Sequence, residues 1–147
     1  MQTTWVIAAD SNRARIFEMS DEDLRFEEIE DLVNPEGRQD EREVRVDAKG
    51  RFFGKNAQMQ GHSAEPHVEA VQNEVVLFSK RLGHYLEQAR QEHRFDKLCL
   101  IAPPKFLGLI RANMGEEASK AVEEEIPKEI AWFNDTDIEA YVRKRLH

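Results

Sequence analysis

Hydrophobic positions in this chain fall first into short blocks, then into a long stripe of helical spacing, then into blocks again. Trp5-Val6-Ile7-Ala8-Ala9 is an unbroken apolar run closed by Asp10, and Arg13 to Met19 follows after Ser11-Asn12. A short apolar run bounded by Asp, Ser and Asn predicts a buried central strand joined to its neighbour by a hairpin turn. Side chains alternate along a strand, so Arg13, Arg15 and Phe17 share one face of the second strand and Ala14 and Ile16 the other. Ser20-Asp21-Glu22-Asp23 supplies a second turn, and Leu24 to Val33 reads as a third strand whose alternation weakens at Glu27-Glu28.

From Asn34 to Glu65 the apolar period stops, and Pro35, Gly37, Gly50, Gly54 and Gly61 interrupt a charged stretch. So long a loop in a compact domain is usually functional or disordered. The long helix is predicted over Pro66–Arg94, with Pro66 in its first turn and Ser63 or Glu65 as cap. Its apolar stripe is Val71, Val75, Phe78, Leu82, Leu86 and Ala89. Lys97 to Ala102 reads as a strand covered on both faces, and Pro103-Pro104 ends it and opens a helix. Phe106, Leu107, Ile110 and Met114 form the buried face of that helix, with Gly115 as its C′ residue. A fifth strand is placed near Val122 to Ile130, confined to an edge by Pro127. Thr136-Asp137-Ile138-Glu139 reads as a capping box for a last helix that turns Ile138, Val142 and Leu146 inward.

The order β-β-β-α-β-α-β-α, a meander followed by two crossovers, predicts a mixed five-stranded α/β sheet with helices on both faces. Strand order 3-2-1-4-5 satisfies those connections, which is the ribonuclease H-like arrangement. The 147 residues suit a single domain and are enough to bury a core without disulfides or metals. The lone cysteine, Cys99, lies in an apolar run and reads as a small core residue. No apolar run approaches a membrane span, and Trp5–Ala9 is too short for a signal-peptide core, so a cytoplasmic protein without membrane contact is expected.

Net charge is −8, which argues against broad binding to DNA or other nucleic acid through a basic surface. One stretch departs from this balance. Ala48 to Ser63 holds Lys49, Arg51 and Lys55 with Phe52 and Phe53 and contains no acid. A second candidate lies where the strand order reverses, beyond the carboxyl ends of the first and fourth strands, the usual ligand crevice of an open α/β sheet. Asp10 closes one strand there, Lys105 follows the other, and Arg13 and Arg15 begin the strand beside it. Two guanidiniums suit bidentate contact with a phosphate or carboxylate, assisted by the N-terminus of the following helix. The competing reading has Asp10 capping the turn and the arginines paired with Glu27 or Glu28.

Metal-nuclease chemistry needs convergent carboxylates. Asp10 with Glu69 or Glu74 offers few, and the fourth strand ends in Ala102-Pro103-Pro104. His62, His67 and Glu69 do not match a recognised zinc spacing. No P-loop, GxGxxG or Ser-His-Asp order is present, so neither a metal nor a cofactor is expected.

Several ordered blocks resemble the bacterial host-attachment protein family. They are Trp5 to Asp10 with Arg13 to Phe17, Asp47 with Gly50-Arg51, Phe78 with Leu82 and Leu86, Leu100 to Pro104 with Leu107 to Arg111, and Glu125 to Glu129. The family resembles in turn the middle domain of archaeal and eukaryotic peptide-chain release factors. That kinship implies a role at the ribosome and points to the loop before the long helix, where release factors carry Gly-Gly-Gln. Here the loop reads Gly54-Lys55-Asn56-Ala57-Gln58-Met59-Gln60-Gly61. Gln58 and Gln60 are present without the paired glycines, which speaks against peptide release. The family's Asp-Arg-Pro-Gly-Arg block appears as Asp47-Ala48-Lys49-Gly50-Arg51.

The leading expectation is thus a translation-factor-like binding protein that contacts RNA or the ribosome through Arg13, Arg15, Lys49, Arg51, Lys55 and Lys105. A hydrolase of an RNA or nucleotide ester, with Asp10 and Gln58 positioning water, is the alternative. A third reading is a protein-interaction factor that uses the acidic face around Asp21 to Asp31 and affects attachment indirectly.

Overall fold

The computed structural model describes residues 2–22, 25–34 and 57–146, without the side chains of 57–69 and 71. Its strands are β1 (Thr3–Ala9), β2 (Arg13–Ser20), β3 (Phe26–Val33), β4 (Lys97–Ile101) and β5 (Val122–Ile126). Its helices are α1 (Ala57–Gln91), α2 (Pro104–Asn113), α3 (Glu116–Lys120) and α4 (Asp135–Leu146). The strands form one sheet in the order β3-β2-β1-β4-β5, with β1 antiparallel to β2 and parallel to β4, as the crossover argument requires.

Alternation along the central strands divides the core in two. Trp5, Ile7, Ala9, Ala14, Ile16, Leu98 and Leu100 face α1 and α2, where Phe78, Leu82, Leu86, Phe106 and Ile110 cover them. Val6, Ala8, Phe17, Cys99, Ile101 and Ile126 face α4, where Ile138 and Val142 cover them. Each large side chain removed from water in this way contributes about 1.5–3 kcal/mol.

The long helix begins at Ala57, upstream of the predicted Pro66 start, and ends at Gln91. Ala, Gln, Met and Glu between Ala57 and Glu65 are strong helix formers and continue the helix through the proline. Its end is a Schellman closure: His93 N–H donates to Arg90 O at 2.9 Å and Arg94 N–H to Ala89 O at 3.0 Å, with His93 at φ 57°. At 35 residues α1 is about 52 Å long, far longer than the strands it crosses. The side chains it packs on the sheet, from Phe78 to Ala89, lie in its C-terminal half, so its N-terminal half runs past the carboxyl ends of β1 and β4.

Three further expectations are corrected around β5. Gly115 follows the C-cap Met114 of α2 as expected of a C′ residue, but at φ −66° it is extended and not left-handed, and it serves as the N-cap of α3, a short helix the apolar pattern does not announce. Glu87 of α1 completes that cap, its Oε1 accepting the Ala118 N–H at 3.1 Å, and the Arg90 hydrogen bond holds the Glu87 carboxyl below its ordinary pKa. The fifth strand stops at Ile126, because Pro127 has no N–H to continue a ladder. The last helix is capped by Asn134, whose Oδ1 accepts the Asp137 N–H at 2.8 Å, two residues before the predicted Thr136 box.

Cys99 is 1% exposed between β4 and α4, and burial, with Glu124 and Glu123 adding repulsion, pushes its thiol up to about 12. The unfolded chain therefore sheds this proton first, near pH 8.5, and the folded state loses stability as pH rises from there toward 12. The slope approaches about 1.4 kcal/mol per pH unit at most. Urea titrations at pH 8 and 10 are expected to show a larger loss in the wild type than in Cys99→Val, and equal losses would contradict the burial argument.

Candidate crevice at the carboxyl ends of the strands

The turn after β1 is built by Asp10. Its Oδ1 accepts the backbone N–H groups of Asn12 at 2.8 Å and Arg13 at 3.0 Å, and its own N–H donates to Arg13 O at 2.9 Å. This local side-chain capping explains why an Asp ends the strand. Asp10 also lines a cavity of about 390 Å³. Val75 and Val76 of α1 and Phe106 and Leu109 of α2 supply its apolar lining, with Ser11, Gln72, Pro103, Lys105 and Glu129 beside them.

The wall spacing follows from one close helix contact. At Gly83 an added Cβ would lie 2.3 Å from Asn113 O, so α1 and α2 touch backbone to backbone below the cavity. Asn113 Nδ2 reinforces the crossing by donating to Leu109 O at 2.8 Å and Ser79 Oγ at 3.2 Å.

The two strand arginines go elsewhere. Arg15 is 5% exposed on the α4 face, and the structure places all five of its N–H donors. Nε and Nη2 meet Glu28 at 3.1 and 2.9 Å, Nη2 also meets Asp135 at 2.5 Å, and Nη1 donates to Ala131 O at 3.0 Å and to Phe133 O. The Glu28 hydrogen bond raises the guanidinium pKa above its ordinary value against the opposing effect of burial. Arg13 is half-exposed and pairs with Asp31 at 2.5 Å, beside a second depression of about 310 Å³ lined by Asp10, Asn12, Arg13, Asp31 and Val33.

Of the candidate residues, the structure thus brings Asp10 and Lys105 together in the crevice. It turns Arg15 inward and places Arg13 at the hairpin. Lys49, Arg51 and Lys55 lie outside the described residues, and so does the side chain of Gln58, which belongs to α1 and not to a loop. Among the described residues no cluster of three or more His, Cys, Asp or Glu side chains is spaced to hold a metal ion, and no helix is long and apolar enough to cross a membrane.

Sequence patterning misses Glu129. The segment 127–134 leaves the edge strand β5 and reaches Arg15 on β2, so it crosses the carboxyl ends of β4 and β1 on the way. That strap carries Glu129 to the cavity. The only sequence signal is the run Glu125-Ile126-Pro127-Lys128-Glu129, in which Pro127 stops the strand and frees the chain to cross.

A five-stranded mixed sheet in the order 3-2-1-4-5, with a cavity at its order reversal, defines an α/β protein of ribonuclease H-like arrangement. The chain belongs to the family described as "Protein required for attachment to host cells", whose profile matches residues 5–142. No curated protein matches the chain. Among solved structures, it is similar to the type II variant of the Aquifex aeolicus Ppx/GppA phosphatase, with 12% sequence identity and a TM-score of 0.44. That similarity covers 86% of this chain and 36% of the phosphatase chain, so the present chain spans about a third of its length.

Proposed function

We propose that this host-attachment family member is a cytoplasmic RNA-binding protein that holds one ribonucleotide unit in the crevice between α1, α2 and the end of β1. The observation that carries this reading is the mixed lining of the cavity. Val75, Val76, Phe106 and Leu109 give it apolar surface suited to a base, and Asp10, Glu129 and Lys105 line the same cavity. The carboxylates can accept hydrogen bonds from ribose hydroxyls, and the lysine can neutralise a phosphate. A volume of 390 Å³ falls within the roughly 300–1,000 Å³ of small-molecule sites.

The basic segment supports the same class of ligand. Lys49, Arg51 and Lys55 precede α1 directly, and α1 supplies Val75 and Val76 to the crevice. Its cations would contact phosphates of a longer RNA, as the resemblance to the release-factor middle domain also suggests, without Gly-Gly-Gln chemistry. Such contacts weaken steeply with salt.

Calorimetric titration with adenosine 5′-monophosphate and a short single-stranded RNA, at low and moderate salt, tests the reading. Lys105→Glu is expected to weaken the mononucleotide about tenfold or more, the order of one lost charge-assisted contact. Absence of binding by the wild type, or affinity unchanged in both Lys105→Glu and Leu109→Arg, would refute it. Turnover of either ligand that disappears in Asp10→Ala would favour the hydrolase reading instead.

A further inference from the structure

Trp132 is the most exposed large apolar side chain among the described residues, at 72%, yet its orientation is fixed. Its Nε1–H donates to Glu129 O at 3.1 Å, and its ring meets Phe133 edge-on, with centroids 4.6 Å apart at 79°. The strap that carries it is tied down on both sides, since Arg15 holds the carbonyls of Ala131 and Phe133. Ile130 and Ala131 are buried, so the strap cannot roll to cover the indole. The same hydrogen bond ties the indole to the backbone of Glu129, a residue that lines the cavity.

A largely exposed indole held by its own hydrogen bond and by the Phe133 ring is preorganised for a flat partner. Base stacking on such a face is sequence-tolerant, since every base offers a π surface. We propose that Trp132 is the stacking platform for the nucleotide next to the one in the crevice, which makes the site selective for single-stranded RNA of at least two residues. The proposal rests on the nucleotide reading of the crevice. A paired duplex would keep its bases stacked on one another and leave the indole bare, so unpaired strands are the ligand class.

Adenosine 5′-monophosphate and the dinucleotide pApA separate the two claims. For the wild type, pApA is expected to bind about tenfold more tightly than the mononucleotide, and Trp132→Ala to erase that gain while leaving mononucleotide affinity unchanged. Trp132→Phe should restore most of the gain and Trp132→Leu little of it. Trp5 is fully buried, so the quenching of tryptophan emission by pApA should come from Trp132 and vanish in Trp132→Phe. If the mononucleotide binds and pApA binds no better, or the gain survives Trp132→Ala, the platform is overturned while the crevice reading stands. If neither ligand binds, the crevice reading fails and the platform with it.

Discussion

Replacing Arg15 by methionine is expected to lower folding stability by about 3–4 kcal/mol, the cost of leaving a buried ion-paired network without its cation. Methionine fills much the same volume but leaves Glu28 and the carbonyls of Ala131 and Phe133 without their donors. The partners are not equally placed. The Glu28 side chain is 21% exposed and the Asp135 side chain 70%, so the Asp135 bridge contributes little and the loss falls on Glu28 and the strap. Arg15→Lys should recover less than half, because one ammonium cannot serve acceptors spread over β3 and residues 131–135. Equilibrium urea unfolding measures both. A loss under about 1 kcal/mol for Arg15→Met would mean that the network is exchanged for water at little cost. The same variant frees the strap, so nucleotide affinity should fall with stability.

Gly83→Ala is expected to destabilise by about 2 kcal/mol, although alanine is the better helix former by about 1 kcal/mol. The new methyl would lie 2.3 Å from Asn113 O and 2.8 Å from its carbonyl carbon, and backbone atoms cannot swing aside as a side-chain end can. Relief requires α1 and α2 to separate, which loosens Ser79–Asn113 and shifts Lys105, Phe106 and Leu109 at the crevice. Gly108→Ala is the matched control. It sits in α2 with open space around it, so it should stabilise by up to about 1 kcal/mol. Thermal melts of the two variants moving in opposite directions would bear out the contact, and two upward shifts would contradict it.

The sheet was legible because its signals are local and strong. Trp5–Ala9 and Leu98–Ile101 are unbroken apolar runs, Asp10-Ser11-Asn12 is turn chemistry, and the α1 stripe repeats at helical spacing, which together constrain the order to 3-2-1-4-5. What escaped depends on tertiary partners. The cap of α3 is completed by Glu87, far away in sequence, so Gly115 alone showed the end of α2 and not the beginning of α3. Arg15 looked like an available cation because nothing local shows that residues 131–135 fold back across the sheet to meet it. The crevice was half-visible: the strand-order rule found Asp10 and Lys105, whereas Glu129 reaches it only through the strap.

If the crevice holds a nucleotide, amide chemical-shift mapping with adenosine 5′-monophosphate will show saturable shifts centred on Asp10, Ser11, Val75, Lys105, Phe106 and Leu109, lost in Lys105→Glu. Shifts confined to the Arg13–Asp31 depression, or none at millimolar ligand, would contradict the nucleotide reading.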